Sequence, residues 1–98
     1  MSKQEKTETP IERLPTLVYI INKGGHDFSP AELYGTPIFL SEGRLPLYST
    51  NNMFRMFFEK LRYSQEHDYI LITSLSVASC IACSIFTAMH RRLNILLF

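Results

Sequence analysis

A short glycine-containing segment carries the side chains that are best suited to chemistry. Gly24 and Gly25 allow a backbone to approach an anion closely, and the neighbouring Lys23 supplies positive charge. His26 stands beside Asp27, a carboxylate that can orient the imidazole as a general acid or base. These residue types predict a phosphate-binding loop, with His26 and Asp27 as the catalytic candidates if the protein is an enzyme.

A second polar segment contributes hydroxyl groups. Ser74 and Ser76 follow an apolar run at residues 69–73 and open a helical pattern, where hydroxyls add donors beside free backbone N–H groups. Ligands of open α/β sheets bind at the carboxyl ends of the parallel strands, where we expect both segments to lie. The predicted ligand-binding set is therefore Lys23, Gly24, Gly25, Ser74 and Ser76.

The glycine pattern leaves a second interpretation open. The two glycine patterns with a defined phosphate-binding mechanism, GxGxxG and GxxxxGK[ST], do not occur in the sequence. In the alternative interpretation, Gly24 and Gly25 only turn the chain, and Asp27 or Ser29 caps a short helix.

Neither a metal site nor a redox site is expected. The dipeptide His-Asp occurs at residues 26–27 and 67–68, but the first pair follows a predicted strand and the second precedes one. In a parallel sheet these ends face opposite directions, so the four side chains cannot share an ion. Cys80 and Cys83 form a CxxC motif well inside a helix that we expect Ser74 or Ser76 to cap, which favours structural cysteines.

Composition limits the function classes. Of 98 residues, 46% are hydrophobic and 19% are charged, with a net charge of +1, which excludes a disordered chain and a strongly basic nucleic-acid module. With two cysteines and no pattern of a secretory leader, we expect a cytoplasmic protein. Residues 1–12 have the composition of a flexible polar tail, and residues 13–98 are predicted to form a single α/β domain.

Hydrophobic patterns predict the elements that position the candidate site. Apolar runs at residues 17–22, 69–73 and 93–98 are typical of strands that are buried on both faces. A helix of one or two turns is expected from Ser29, and a long helix from Leu75 onward. The runs at residues 37–40 and 45–48, joined by the turn Ser41–Arg44, predict a β-hairpin, with Pro46 at an edge. We therefore predict a small Rossmann-like α/β sandwich, with a central, mostly parallel sheet and an antiparallel hairpin at one edge.

Another helix is predicted after the caps offered by residues 49–52. Its buried face is expected to consist of Met53, Phe54, Phe57, Phe58 and Leu61, and Arg55 and Glu59 are expected to form a surface ion pair. If Phe57 or Phe58 is exposed instead, the stripe at residues 53–61 indicates a partner-binding face.

Residues 69–89 contain no charged side chain and could also form a single membrane-spanning helix. Six hydroxylic residues and a change of pattern near Leu75 favour a buried strand followed by a buried helix, so we expect no membrane association.

Three function classes remain open. The favoured one is a non-enzymatic interaction or assembly protein that binds another protein or a second copy of itself and needs no cofactor. The alternative is a nucleotide- or phosphate-binding domain, with or without hydrolytic activity, that uses the two loops. The second alternative is the single-pass membrane protein. Nucleic acid is not expected as a partner, because the basic cluster at residues 90–92 is too small for an electrostatic footprint.

Overall fold

The structure, a computed structural model, describes residues 15–46 and 48–97, so the predicted polar tail at residues 1–12 lies outside the described residues. Four strands, two α-helices and one short 3₁₀ helix alternate along the chain. In chain order they are β1 (Leu17–Ile20), the 3₁₀ helix (Ser29–Leu33), β2 (Thr36–Phe39), α1 (Thr50–Leu61), β3 (Tyr69–Ile72), α2 (Ser76–His90) and β4 (Ile95–Leu97).

The strands form one parallel sheet in the order β2-β1-β3-β4. The chain moves from β1 toward one edge through the 3₁₀ helix, and from β3 toward the other edge through α2. Because crossovers share one hand, connections that run in opposite directions must lie on opposite faces of the sheet. The prediction of an α/β protein with a central parallel sheet is confirmed.

Two apolar layers cover the faces of the sheet unequally. On one face, Tyr19, Ile21 and Ile70 pack against the buried residues of α1 and α2. On the other face, Val18, Ile20 and Leu71 pack against Phe28 and Ala31 beside the 3₁₀ helix. The strand β4 lies at an edge, so the predicted burial of this strand on both faces is wrong: Ile95 and Leu97 are exposed.

The predicted antiparallel hairpin is wrong. β2 pairs in parallel with β1, and the described residues of the second predicted hairpin strand, 45, 46 and 48, do not form a strand. Leu45 is instead buried beneath the helices, and the Pro46 carbonyl accepts the Ser49 N–H at 2.9 Å, which turns the chain into α1. Pro46 cannot donate a hydrogen bond to a neighbouring strand, and this run leads into α1 at Thr50 instead of extending the sheet.

The charge-free stretch at residues 69–89 divides into β3 and α2, as the change of pattern predicted. Among residues 15–46 and 48–97, no helix is both long enough and apolar enough to cross a membrane.

The helix α1 follows the predicted stripe only in part. Ser49 caps it by accepting the Asn52 N–H, and Met53, Phe57 and Leu61 are buried. Phe54 and Phe58 are not: 48% and 41% of their respective surfaces stay exposed, so their predicted burial is wrong. The predicted ion pair between Arg55 and Glu59 does not occur among the ion pairs of the described residues.

Gly35 allows β2 to begin beside β1. A Cβ atom at Gly35 would lie 2.5 Å from the backbone oxygen of Thr16, which accepts the Thr36 N–H at 3.0 Å. We expect Gly35→Ala to destabilise the protein by about 1–3 kcal/mol, because backbone on both sides must move. Gly25 is the matched control, since a Cβ atom there would meet no other atom within 4 Å. Thermal unfolding should show a Tm lower by at least about 4 °C for Gly35→Ala and little change for Gly25→Ala; equal Tm values would contradict the close approach.

Candidate functional site

The candidate site lies where the chain direction across the sheet reverses. β1 and β3 are neighbours, and the segments that follow them run toward opposite edges of the sheet. In open parallel sheets such a switch point leaves a crevice outside the carboxyl ends of the two strands. The crevice here is bounded by the loop at residues 21–28 and by the loop at residues 73–75.

The two loops enclose a cavity of about 170 Å³. Four of the residues singled out from the sequence line it: Gly24, Gly25, His26 and Ser74. The other lining residues, Asn22, Phe28, Thr73 and Leu75, belong to the same two loops. Segments separated by about 50 residues in sequence therefore meet at one place.

Lys23 is turned toward β2 rather than toward this cavity. Its Nζ lies 3.9 Å from Oε1 of Glu42 and 5.8 Å from the centroid of the Phe39 ring. Its backbone N–H donates to the Ser41 carbonyl at 3.0 Å, which joins this part of the loop to the segment after β2. Lys23 is therefore held beside β2, and its backbone, rather than its charge, serves the loop.

Asp27 and Ser76 also lie apart from the cavity lining. Asp27 Oδ1 accepts the Ser29 N–H at 3.0 Å, and this hydrogen bond lowers the pKa of Asp27. The N-cap residue of the 3₁₀ helix is Phe28 and it has no side-chain cap, so the expectation that Asp27 or Ser29 caps this helix is wrong. The Asp27 carboxylate instead closes a turn just before the helix. Ser76 is the exposed first residue of α2.

Asn22 gives the glycine loop its shape. Its Nδ2 donates to Ser41 Oγ and to the Gly43 carbonyl, both at 2.9 Å, and its Oδ1 accepts the Gly24 N–H at 2.8 Å. Gly24 has a φ of +52°, a left-handed conformation that costs glycine little. The side chain of Asn22 thus links the loop after β1 to the loop after β2.

The helix α2 starts at the crevice without a side-chain cap. Its N-cap residue is Leu75, so the expectation that Ser74 or Ser76 caps the helix is wrong. Thr73 takes part instead: its Oγ1 accepts the Leu75 N–H at 3.3 Å, and its carbonyl accepts the Ser79 hydroxyl at 3.4 Å. The start of α2 therefore has no side-chain cap, and its N-cap residue Leu75 lines the cavity.

Two further cavities extend the crevice in both directions. One, of about 240 Å³, shares Asn22 and Leu75 with the central cavity and adds Arg44. The other, of about 450 Å³, shares His26, Thr73 and Ser74 and adds the apolar side chains of Ile72 and Leu97. The three cavities thus lie side by side at the carboxyl ends of the strands, and together we call them the trough. Arg44 lines the cavity at one end, and the apolar Ile72 and Leu97 line the cavity at the other.

Sequence reasoning missed Arg44 because it placed this residue in a hairpin turn. The available signal was the position of Arg44 shortly after an apolar run. If that run is a parallel strand, the segment after it lies at the same edge of the sheet as Gly24 and Ser74.

The second His-Asp pair lies at the amino ends of the strands, on the side of the sheet away from the crevice. β1 and β3 are parallel, so the pairs at residues 26–27 and 67–68 lie at opposite ends of the strands. The carboxylate of the fully buried Asp68 accepts the N–H groups of Leu17 and Gln65, at 2.9 and 2.8 Å. Within the described part of the chain, no group of three or more His, Cys, Asp or Glu side chains is placed to hold a metal.

The cysteines lack the properties of a redox pair. Cys80 is the fifth residue of α2, beyond its first turn, and is exposed, whereas Cys83 is half-buried. Burial, and secondly the neighbouring Cys80, raise the pKa of the Cys83 thiol. A reactive thiol needs the opposite shift.

Comparison of the chain with protein-family models, with curated proteins and with solved structures finds no match in any of the three.

Tyr19 on β1 makes the free energy of unfolding depend on pH in the alkaline range. Burial, and secondly the negative charge of Asp68, raise the pKa of Tyr19 to about 12 from an ordinary value of 10.0. Between these pH values the folded protein keeps a proton that the unfolded chain releases, so the free energy of unfolding falls as pH rises. Urea unfolding at several pH values above 9 should show a steeper fall for wild type than for Tyr19→Phe. Parallel curves for the two proteins would contradict this assignment.

Proposed function

We propose that this protein binds a small phosphate-bearing ligand in the crevice between the loops after β1 and β3. The observation that carries the proposal is the convergence of Gly24, Gly25, His26 and Ser74 around one cavity at the switch point of the sheet. Such crevices are where open α/β sheets hold their ligands.

The chemistry of the lining supports an anion. Two consecutive glycines let the ligand approach the backbone, and Ser74 adds a hydroxyl donor. The start of α2 adds N–H groups and the positive end of a 15-residue helix dipole. Arg44, in the adjoining cavity, takes the role of counter-charge that the sequence had suggested for Lys23.

The length of the trough favours a ligand larger than inorganic phosphate. From the central cavity it continues over Ile72 and Leu97, beside the His26 ring. A nucleotide or a sugar phosphate fits this division, with the phosphate near Arg44 and the ring near the apolar end. His26 lines both the central cavity and its apolar extension, with its ring edge-on to Phe28 at a centroid distance of 6.0 Å, and we assign it a binding role.

A second candidate function is that of a non-enzymatic interaction or assembly protein. The observation that favours it is the exposure of Phe58 beside Phe54, in place of the burial that their spacing predicts.

The test of the ligand proposal introduces charge at Gly25, where a side chain meets open space. We expect a panel of nucleotides, sugar phosphates and inorganic phosphate to contain a ligand that raises Tm by several degrees, since a ligand at 100 times its Kd adds about 2.7 kcal/mol. Gly25→Asp should weaken binding of that ligand through like-charge repulsion, and the neutral Gly25→Asn is its steric control. Arg44→Ala should weaken binding about tenfold or more, the loss expected for one charge-assisted hydrogen bond.

Lys23→Ala is the second control and should bind like wild type, because its ammonium group lies beside Glu42. The proposal is wrong if no compound in the panel raises Tm. It is equally wrong if the Asp and Asn substitutions at Gly25 weaken binding alike, or if Lys23→Ala is more damaging than Arg44→Ala.

A further inference from the structure

We propose that a second copy of this chain covers the outer face of α1. We call this surface the aromatic face and define it by Phe54, Arg55, Phe58 and Glu59. The proposal names the partner for the second candidate function and is independent of the ligand crevice.

The aromatic face carries two phenylalanines that do not contribute to the buried core. Met53, Phe57 and Leu61 bury the inner side of α1, and Phe54 and Phe58 lie one residue further along at the same spacing. The rings of Phe54 and Phe58 stack on each other, with centroids 6.0 Å apart and planes 6° from parallel. Each ring nevertheless keeps more than 40% of its residue's surface in water. An exposed aromatic pair of this kind marks an interaction surface.

The charges beside the rings have no ion-pair partner among residues 15–46 and 48–97. Arg55 and Glu59 are both exposed, and neither takes part in an ion pair among the described residues. Their order along the helix, with the cation four residues before the anion, is the less favourable one for an intrahelical pair. Both groups are therefore available to a partner.

The same two charges make the aromatic face complementary to itself. When two copies of a helix pack antiparallel about a two-fold axis, residues equally far from the axis on opposite sides face each other. An axis at the level of Phe57 places Arg55 of each copy opposite Glu59 of the other, which forms two identical ion pairs. The Phe58 rings of both copies then cover each other's flank. This self-complementarity identifies a second copy of the chain as the occupant.

We expect a reversible dimer rather than a permanent one. A helix of 12 residues presents less area than the roughly 1,600 Å² of a standard interface. Ion pairs at its rim fix the register and orientation more than they add affinity.

The experiment measures the self-association constant by sedimentation equilibrium over protein concentrations from about 1 to 500 µM. Wild type should dimerise within that range, and Phe58→Ser should be monomeric. Arg55→Glu and Glu59→Arg should each weaken the dimer about tenfold, because each places like charges opposite one another twice. The double variant Arg55→Glu/Glu59→Arg restores both pairs and should associate nearly as well as wild type. Circular dichroism checks that every variant is folded.

The exposed edge strand β4 provides the competing interface, and Leu97→Lys tests it. Leu97 is 83% exposed, whereas the other edge is obstructed by Pro37 and by Lys60, whose Nζ donates to the Phe39 carbonyl. Leu97→Lys should leave the dimer intact. A wild type that stays monomeric overturns the proposal, as does a dimer that ignores the single charge reversals or dissociates in Leu97→Lys. Neither result affects the ligand proposal, which is measured by thermal shift.

Discussion

The buried carboxylate of Asp68 ties the amino end of β1 to the turn that leads into β3. A buried charge is tolerated only when hydrogen bonds replace its lost hydration. Here the N–H groups of Leu17, at the start of β1, and of Gln65 donate to the two carboxylate oxygens. The Asp68 carbonyl accepts from Asn94 Nδ2, and the Asn94 carbonyl accepts the Ile70 N–H, which brings in β4. The Asp68 carboxylate therefore holds the starts of β1 and β3 together, and Asn94 joins the start of β4 to them through backbone carbonyls.

Fixing the amino ends of short parallel strands also fixes where they end. β1 and β3 have four residues each, so the register set near Asp68 carries through to the crevice. A second set of hydrogen bonds holds the carboxyl side: the Ser41 hydroxyl donates to the Ile21 carbonyl and accepts from Asn22 Nδ2. Hydrogen bonds at both ends of the strands therefore fix the position of the loops that line the candidate site, as a preorganised binding site requires.

The sequence predicted those parts of the fold that depend on local patterns. Continuous β-branched and aromatic runs predicted β1 and β3, and the change of period near Leu75 separated β3 from α2. The prediction of a hairpin was wrong because two apolar runs around a glycine turn have the same local pattern as a parallel strand followed by a loop. Contacts distant in sequence decide between them here, namely Asn22 with Gly43 and Leu45 with the helices.

For the candidate site, the sequence predicted which loops lie together but not where every side chain points. Residue types and the rule for carboxyl ends of strands brought Gly24, Gly25 and Ser74 into one hypothesis, and the structure places them at one cavity. The direction of the Lys23 side chain was not predictable, because its contacts are Glu42 and the Phe39 ring, which only the folded sheet brings beside it. The exposure of Phe54 and Phe58 was also hidden, since a five-residue apolar stripe can be wider than the surface that the neighbouring elements cover.

The two proposed surfaces differ from the core in how they respond to substitution. Gly25 and the side chains of the aromatic face meet water or open space, so changes there should alter binding while costing little stability. Tyr19, Gly35 and Asp68 lie where strands touch, and changes there act on the whole sheet. Phe54 and Phe58 stack on each other and remain 48% and 41% exposed, so the proposed dimer would bury apolar surface that the core leaves in water. The proposed self-association would use this surface without disturbing Met53, Phe57 and Leu61, which pack on the inner side of α1.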